Sequence, residues 1–218
     1  MDIAVIRDVT DPHILQPDAN SVLGLFNLSE NSNAGVRFRY REICDKVLVP
    51  TVELQVPDES ITSRLNRNND AFYRKKIILN FYSAIRKTLI VTEADKDSSF
   101  LDYSECFKAI SGELSLLADC NSNKRVLIVF SNLFENSTIL TVYAKKVNQL
   151  STLNPDKIAA IFEKTQLLPE NLKGIKIYFA FQPATRDEDN QYLKMADIYK
   201  RLLIKRGAIV KIQANNNF

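Results

Sequence analysis

Val126-Leu127-Ile128-Val129-Phe130-Ser131-Asn132 sets an unbroken apolar run directly before two small polar residues. A strand covered on both faces reads as a continuous apolar run. Polar residues at its end fall where open α/β sheets hold ligands, outside the carboxyl ends of the strands. The chain opens with a second such object, Ile3-Ala4-Val5-Ile6 followed by Arg7-Asp8-Val9-Thr10-Asp11. Two strands are therefore expected to deliver short polar groups to one edge of a sheet.

Outward from these runs, strand and helix patterns alternate. Residues 9–34 read as irregular, with room for a short helix over Ser21–Leu28. Val36–Tyr40 and Val52–Val56 alternate apolar and polar residues, and their short link predicts an antiparallel pair. Pro50 and Pro57 suit an edge strand, where a missing donor is tolerated. Apolar residues at helical spacing predict helices over 69–91 (Ile78, Phe81, Tyr82, Ile85, Leu89) and 101–118 (Phe107, Ile110, Leu114, Leu117), with Thr92–Ser99 as a charged loop between them. Further helices are expected over 138–150 and over 155–164, the latter entered through Asn154-Pro155.

Ile175–Phe181 is expected to be a third buried strand. A helix over 187–205 would turn Tyr192, Ala196, Tyr199, Leu202 and Leu203 inward and stop at Gly207. Ala208–Ile212 reads as the last strand, and 215–218 as a frayed end. The expected fold is α/β: a doubly wound, mostly parallel six-stranded sheet with one antiparallel edge strand and helices on both faces, a Rossmann-like three-layer arrangement. No repeat or long linker divides residues 1–218, so one domain is expected.

Composition narrows the function classes. The 218 residues can bury about 70% of their unfolded surface, so no disulfide staple is required. A net charge of +3, spread without a dense basic block, does not mark a nucleic-acid binder. Cys44, Cys106 and Cys120 are an odd set without metal-type spacing, which fits free thiols in a reducing compartment. No apolar stretch approaches the roughly 20 residues of a membrane span. The N-terminus carries no basic segment followed by a signal-like apolar core, so a cytoplasmic location is expected.

Taken together, the element order, Asp8-Val9-Thr10-Asp11-Pro12, Ser131-Asn132 and the stretch Ser104-Glu105-Cys106-Phe107 resemble a von Willebrand factor A-like (VWA-like) domain. In that family the first strand ends in Asp-x-Ser-x-Ser, a later loop supplies a hydroxyl, and the fourth strand ends in Asp. Together these form a metal-ion-dependent adhesion site. The resemblance implies Asp8, Thr10, Ser104 and Asn132 as ligands of a Mg²⁺ ion, with Asp11, Asp102 and Glu135 as carboxylates that contact a partner protein.

Two positions depart from the pattern: Pro12 offers no side-chain oxygen, and Asn132 brings no charge. Mg²⁺ wants about six oxygen ligands and favours carboxylates. Losing one weakens such a site, and Asp11 or Asp102 stand near enough in sequence to replace it. The other reading is that Asp8 and Asn132 fix loops or cap helices.

Enzyme signatures are sparse. His13 is the only histidine, and neither a Gly-x-Ser-x-Gly elbow nor a glycine-rich phosphate loop occurs. Asp187, Glu188 and Asp189 open a predicted helix, where acids favour the dipole. Cys106 and Cys120 fall on or beside an apolar helix and read as inert thiols. Arg37, Arg39 and Arg41 share one face of a strand and are the candidate contact for an anion, a phosphate backbone or an acidic protein. The expected function is a non-enzymatic module binding another protein through the carboxyl edge, not a membrane. The alternative is a metal-assisted enzyme or accessory factor acting on nucleic acid or phosphate.

Overall fold

The strands assemble in the order β3-β2-β1-β4-β5-β6, which puts the two apolar runs side by side at the centre. The computed structural model describes residues 1–11, 13–26, 28, 34–43, 52–58, 70–90, 103–142 and 154–218. Its strands are β1 (Asp2–Asp8), β2 (Val36–Ile43), β3 (Val52–Val56), β4 (Arg125–Phe130), β5 (Ile175–Ala180) and β6 (Ile209–Gln213). Its helices are α1 (Ala19–Phe26), α2 (Asp70–Leu89), α3 (Cys106–Ala118), α4 (Pro155–Lys164) and α5 (Arg186–Ile204). Among the six described strands, β2 and β3 pair antiparallel and the other neighbours pair parallel. The expected α/β class, sheet composition and antiparallel edge are therefore observed.

Each face of the sheet closes around aromatic rings. On one face, Phe26 of α1 meets Phe81 of α2 edge-on at 5.3 Å and Phe38 of β2 at 6.3 Å. On the other, Phe107 of α3 stacks on Phe162 of α4 at 4.1 Å. Tyr199 of α5 joins them and also meets Phe179 of β5. Offset and edge-on pairs of this kind add about 0.5–1.5 kcal/mol each beyond area burial. Every residue of β1 is buried, the apolar run Ile3–Ile6 together with the charged Asp2, Arg7 and Asp8 at its ends.

Local chemistry sets the helix ends. Asn154 caps α4 by accepting from the Asp156 N–H, with Pro155 at the first position. At α5, Thr185 accepts from the Glu188 N–H and Glu188 accepts from the Ala184 N–H, a reciprocal cap. Gly207 follows α5 at φ 91°, where its absent Cβ would lie 3.4 Å from the Lys173 backbone. Gly207→Ala is therefore expected to cost about 1–2 kcal/mol, read as a lowered midpoint in urea unfolding.

Two expectations need correction. Residues 138–142 are not helical. Asn136 bridges to both Ser104 and Thr141, and the Val142 N–H donates to the Glu135 carbonyl. Thr138, Ile139, Thr141 and Val142 are β-branched, and Ser137 Oγ accepts from the Ile139 N–H, so an extended, bridged loop wins. Residues 143–150 lie outside the described residues, as do Thr92–Ser99, Pro12 and Pro50. The tail over 215–218 is also tied down. Asn216 accepts from the Asp18 N–H and donates to the Gln16 carbonyl, and Phe218 lies edge-on to Tyr178 and Phe130.

Candidate functional site at the carboxyl edge

The chain leaves β1 toward β2 and leaves β4 toward β5, so the crevice between β1 and β4 is the switch point of the sheet. Arg7 pairs with Phe130, which carries the next residues, Asp8 and Ser131, to the same level. Asp8 is buried, at 1% exposure. Its Oδ1 accepts from Thr10 N at 3.0 Å and Thr10 Oγ1 at 2.6 Å. Its Oδ2 accepts from Ser131 Oγ at 2.9 Å, with Ser104 Oγ at 3.4 Å and Cys106 Sγ at 3.5 Å. Burial pushes the Asp8 carboxyl above the usual aspartate range, and the donors from Thr10, Ser131 and Cys106 oppose that shift.

Three of the four residues implied as metal ligands therefore meet: Asp8, Thr10 and Ser104. Asn132 does not join them. Its Oδ1 accepts from the Phe134 N–H at 2.9 Å and its Nδ2 donates to Asp11 Oδ2 at 3.0 Å. Leu133, at φ 63°, turns the chain between them. Ser131 takes the place beside Asp8 instead. One residue makes the difference, because successive side chains at a strand end point to opposite sides.

This donor set does not suit a Mg²⁺ ion. One carboxylate faces hydroxyls that donate to it, and among the described residues no second carboxylate bonds to the same donors. Among the described residues, no group of three or more His, Cys, Asp or Glu is placed to hold a metal. A hard dication needs several anionic or carbonyl oxygens free to accept it.

The implied partner contacts also fall differently. Asp11 is half-buried, and its Oδ1 accepts from the His13 N–H. Asp102 lies outside the described residues. Glu135 is fully buried, and its Oε2 accepts from the Phe107 N–H at 2.8 Å, in the first turn of α3. Helix starts leave such N–H groups without intrahelical partners, and a carboxylate there is favoured. Burial pushes Glu135 up to about 7, with Ser137 and Phe107 as opposing donors and the Glu105 and Asp8 charges adding to the rise. Glu135 thus supports the site from beneath and does not present itself to a partner.

Cys106 is buried with its Sγ 3.1 Å from Ser104 Oγ and 3.5 Å from Ser131 Oγ. Burial, then the charges of Asp8 and Glu135, hold its thiol well above the ordinary value. A thiol in that state is a poor nucleophile. The sequence pattern brings Ser131 to the edge that holds Asp8 but carries no sign that Cys106 would join them. That meeting depends on α3 docking across the β1–β4 crevice.

The arginine stripe does not face solvent as a whole. Arg39, at 3% exposure, bonds through Nε to Glu113 Oε2 at 2.9 Å, and Arg41 Nε lies 3.0 Å from Glu113 Oε1. Arg39 also reaches Asp2 at 3.6 Å, and Arg37 lies between Asp2 and Glu53. The charges proposed for an external anion are met inside the chain, because α3 sets Glu113 over that face of β2.

The fold and this crevice define a three-layer α/β protein with a hydrogen-bonded polar cluster at the switch point of its sheet. No protein-family model matches the chain, and no curated protein matches it. Among the described residues, no helix is long and apolar enough to cross a membrane.

Proposed function

We propose that the chain is a VWA-like protein-interaction module that works through its carboxyl edge without a cation or bond-making chemistry. The observation that carries this reading is the engagement of both Asp8 carboxylate oxygens by the chain's own donors at the switch point. In the resembled family an ion at this place bridges to the partner. Here hydroxyls from Thr10, Ser131 and Ser104 supply the positive ends of dipoles that an ion would supply as charge. Recognition then falls to the rim, where His13 and Thr138 are exposed and Asp11 is half-buried. A rim of this kind gives specificity through shape and hydrogen bonding.

The test is affinity capture and binding measurement with the wild type, Thr138→Arg and His13→Glu. Weaker binding of one partner by both rim variants, with wild-type thermal unfolding, is expected; identical partners and affinities would sink the reading. Millimolar Mg²⁺ or chelator is expected to leave both partner binding and the melting temperature unchanged. An ion present at about a hundred times its dissociation constant would stabilise by about 2.7 kcal/mol, so a clear Mg²⁺-dependent rise in melting temperature refutes the metal-free part.

A further inference from the structure

Away from the carboxyl edge, three lysines gather on the sheet face that α4 and α5 leave uncovered. Lys211 of β6 stands opposite Tyr178 of β5 in the register. Side chains alternate along β5, so Lys176 and Tyr178 share a face, while Phe179 points the other way toward Tyr199. The Lys176 and Lys211 ammonium groups lie 6.0 and 5.7 Å from the Tyr178 ring centre. Lys124, Arg125 and Lys176 line a cavity of about 340 Å³ with Leu25, Tyr178 and Phe218, and no Asp or Glu lines it among the described residues.

No carboxylate lies within ion-pair distance of Lys124, Lys176 or Lys211 among the described residues. The Arg125 guanidinium is committed to the carbonyls of Leu117, Ala118 and Lys173. Lys124 donates once, to the Leu25 carbonyl, and an ammonium has three donors. Desolvation and the nearby Lys176 charge both hold Lys124 below its usual pKa. A bound anion would relieve that repulsion. The volume falls within the roughly 300–1,000 Å³ of small-ligand pockets, and Leu25, Tyr178 and Phe218 supply an apolar wall beside the cations.

We propose that this cavity binds a nucleotide unit, with its phosphate on Lys124 and Lys176, which line it, Lys211 adding its charge from beside the same Tyr178 ring, and its base against the wall of Leu25, Tyr178 and Phe218. The unit comes from a free nucleotide or from one position of a single strand; the chemistry is shared. Lys176 and Lys211 come from neighbouring strands, and each holds its ammonium group near the Tyr178 ring. This site is independent of the Asp8 cluster.

The experiment titrates the full chain at low salt with AMP, ATP and a short fluorescein-labelled oligothymidylate. Saturable binding of at least one is expected. One neutralised phosphate predicts that the logarithm of a single strand's binding constant falls with that of salt at a slope of about −0.7. The double variant Lys176→Gln/Lys211→Gln should bind at least about tenfold more weakly. The matched variant Lys194→Gln/Lys200→Gln on α5 should bind as wild type, and both should unfold at the wild-type temperature. Binding of AMP and ATP without the oligonucleotide assigns the site to free nucleotides; tighter binding of the oligonucleotide than of AMP assigns it to a strand. No saturable binding of any of the three, or affinity unchanged in Lys176→Gln/Lys211→Gln, overturns the proposal. So does equal competition by inorganic phosphate and AMP, because the apolar wall would then contribute nothing.

Discussion

Glu113→Ala is expected to lower the unfolding free energy by about 3–5 kcal/mol, the cost of removing one partner of a buried ion pair. Glu113 is fully buried on α3 and holds Arg39 and Arg41 of β2. Arg41 is partly exposed and can turn its charge to water once Glu113 is gone. Arg39, at 3% exposure, cannot, and Asp2 at 3.6 Å is its only other carboxylate among the described residues. The loss therefore comes mostly from one stranded guanidinium. In a chain of this size each kcal/mol moves the melting temperature by about 2–4 °C, so the drop should be unmistakable in a thermal scan. The double variant Arg39→Met/Glu113→Leu removes both charges and keeps the volume. It should recover most of the loss, since buried pairs are often replaceable by apolar residues. A single-variant loss below about 1 kcal/mol, or a double variant no better than the single, would show that the pair is not isolated from water.

The second large effect is a dependence of stability on pH set by Glu135. Its carboxyl rises from 4.5 to about 7 on folding. A carboxyl whose folded pKa is raised binds more protons folded than unfolded, so stability falls as pH rises between the two values. The contribution is complete below pH 4.5, is lost up to about pH 7, and totals about 3 kcal/mol at 1.36 kcal/mol per unit. Asp8 is raised in the same direction and steepens the fall. Glu135→Gln keeps an acceptor for the Phe107 N–H and cannot ionise. The difference in unfolding free energy between wild type and Glu135→Gln, measured in urea at pH 5 and pH 8, should therefore change by up to about 3 kcal/mol, in favour of the variant at the higher pH. A difference that stays constant, or moves toward wild type, contradicts the buried assignment of Glu135.

Both predictions rest on residues whose roles were only partly legible in the chain. Phe107, Ile110, Leu114 and Leu117 mark α3 as a helix by spacing alone, and all four are buried. The same pattern passes over Glu113, since a single carboxylate on a helix ordinarily reads as solvated. Arg37, Arg39 and Arg41 are correctly grouped on one strand face by their period of two. What lies over that face comes from 74 residues away, which no local periodicity records. Glu135 sits in a short polar stretch that looks like an exposed loop; its burial follows from the bridges among Ser104, Asn136 and Thr141 that fold this loop under the edge.

By itself, the sequence determined the strands, most helices, their caps at Asn154 and Gly207, and the delivery of Asp8 and Ser131 to one edge. Hydrophobic period and turn chemistry act within a few residues, and a linear pattern displays them directly. Tertiary structure decided which polar groups meet. It turned Asn132 away to Asp11, set Ser131, Ser104 and Thr10 on Asp8, matched Glu113 to the arginines, and left Lys124, Lys176 and Lys211 without an ion-paired acid among the described residues. Those outcomes depend on how α3 crosses the switch point and on which sheet face each helix covers. They are set by packing among segments far apart in the chain, where a polar group must find its partner after the apolar faces have already docked.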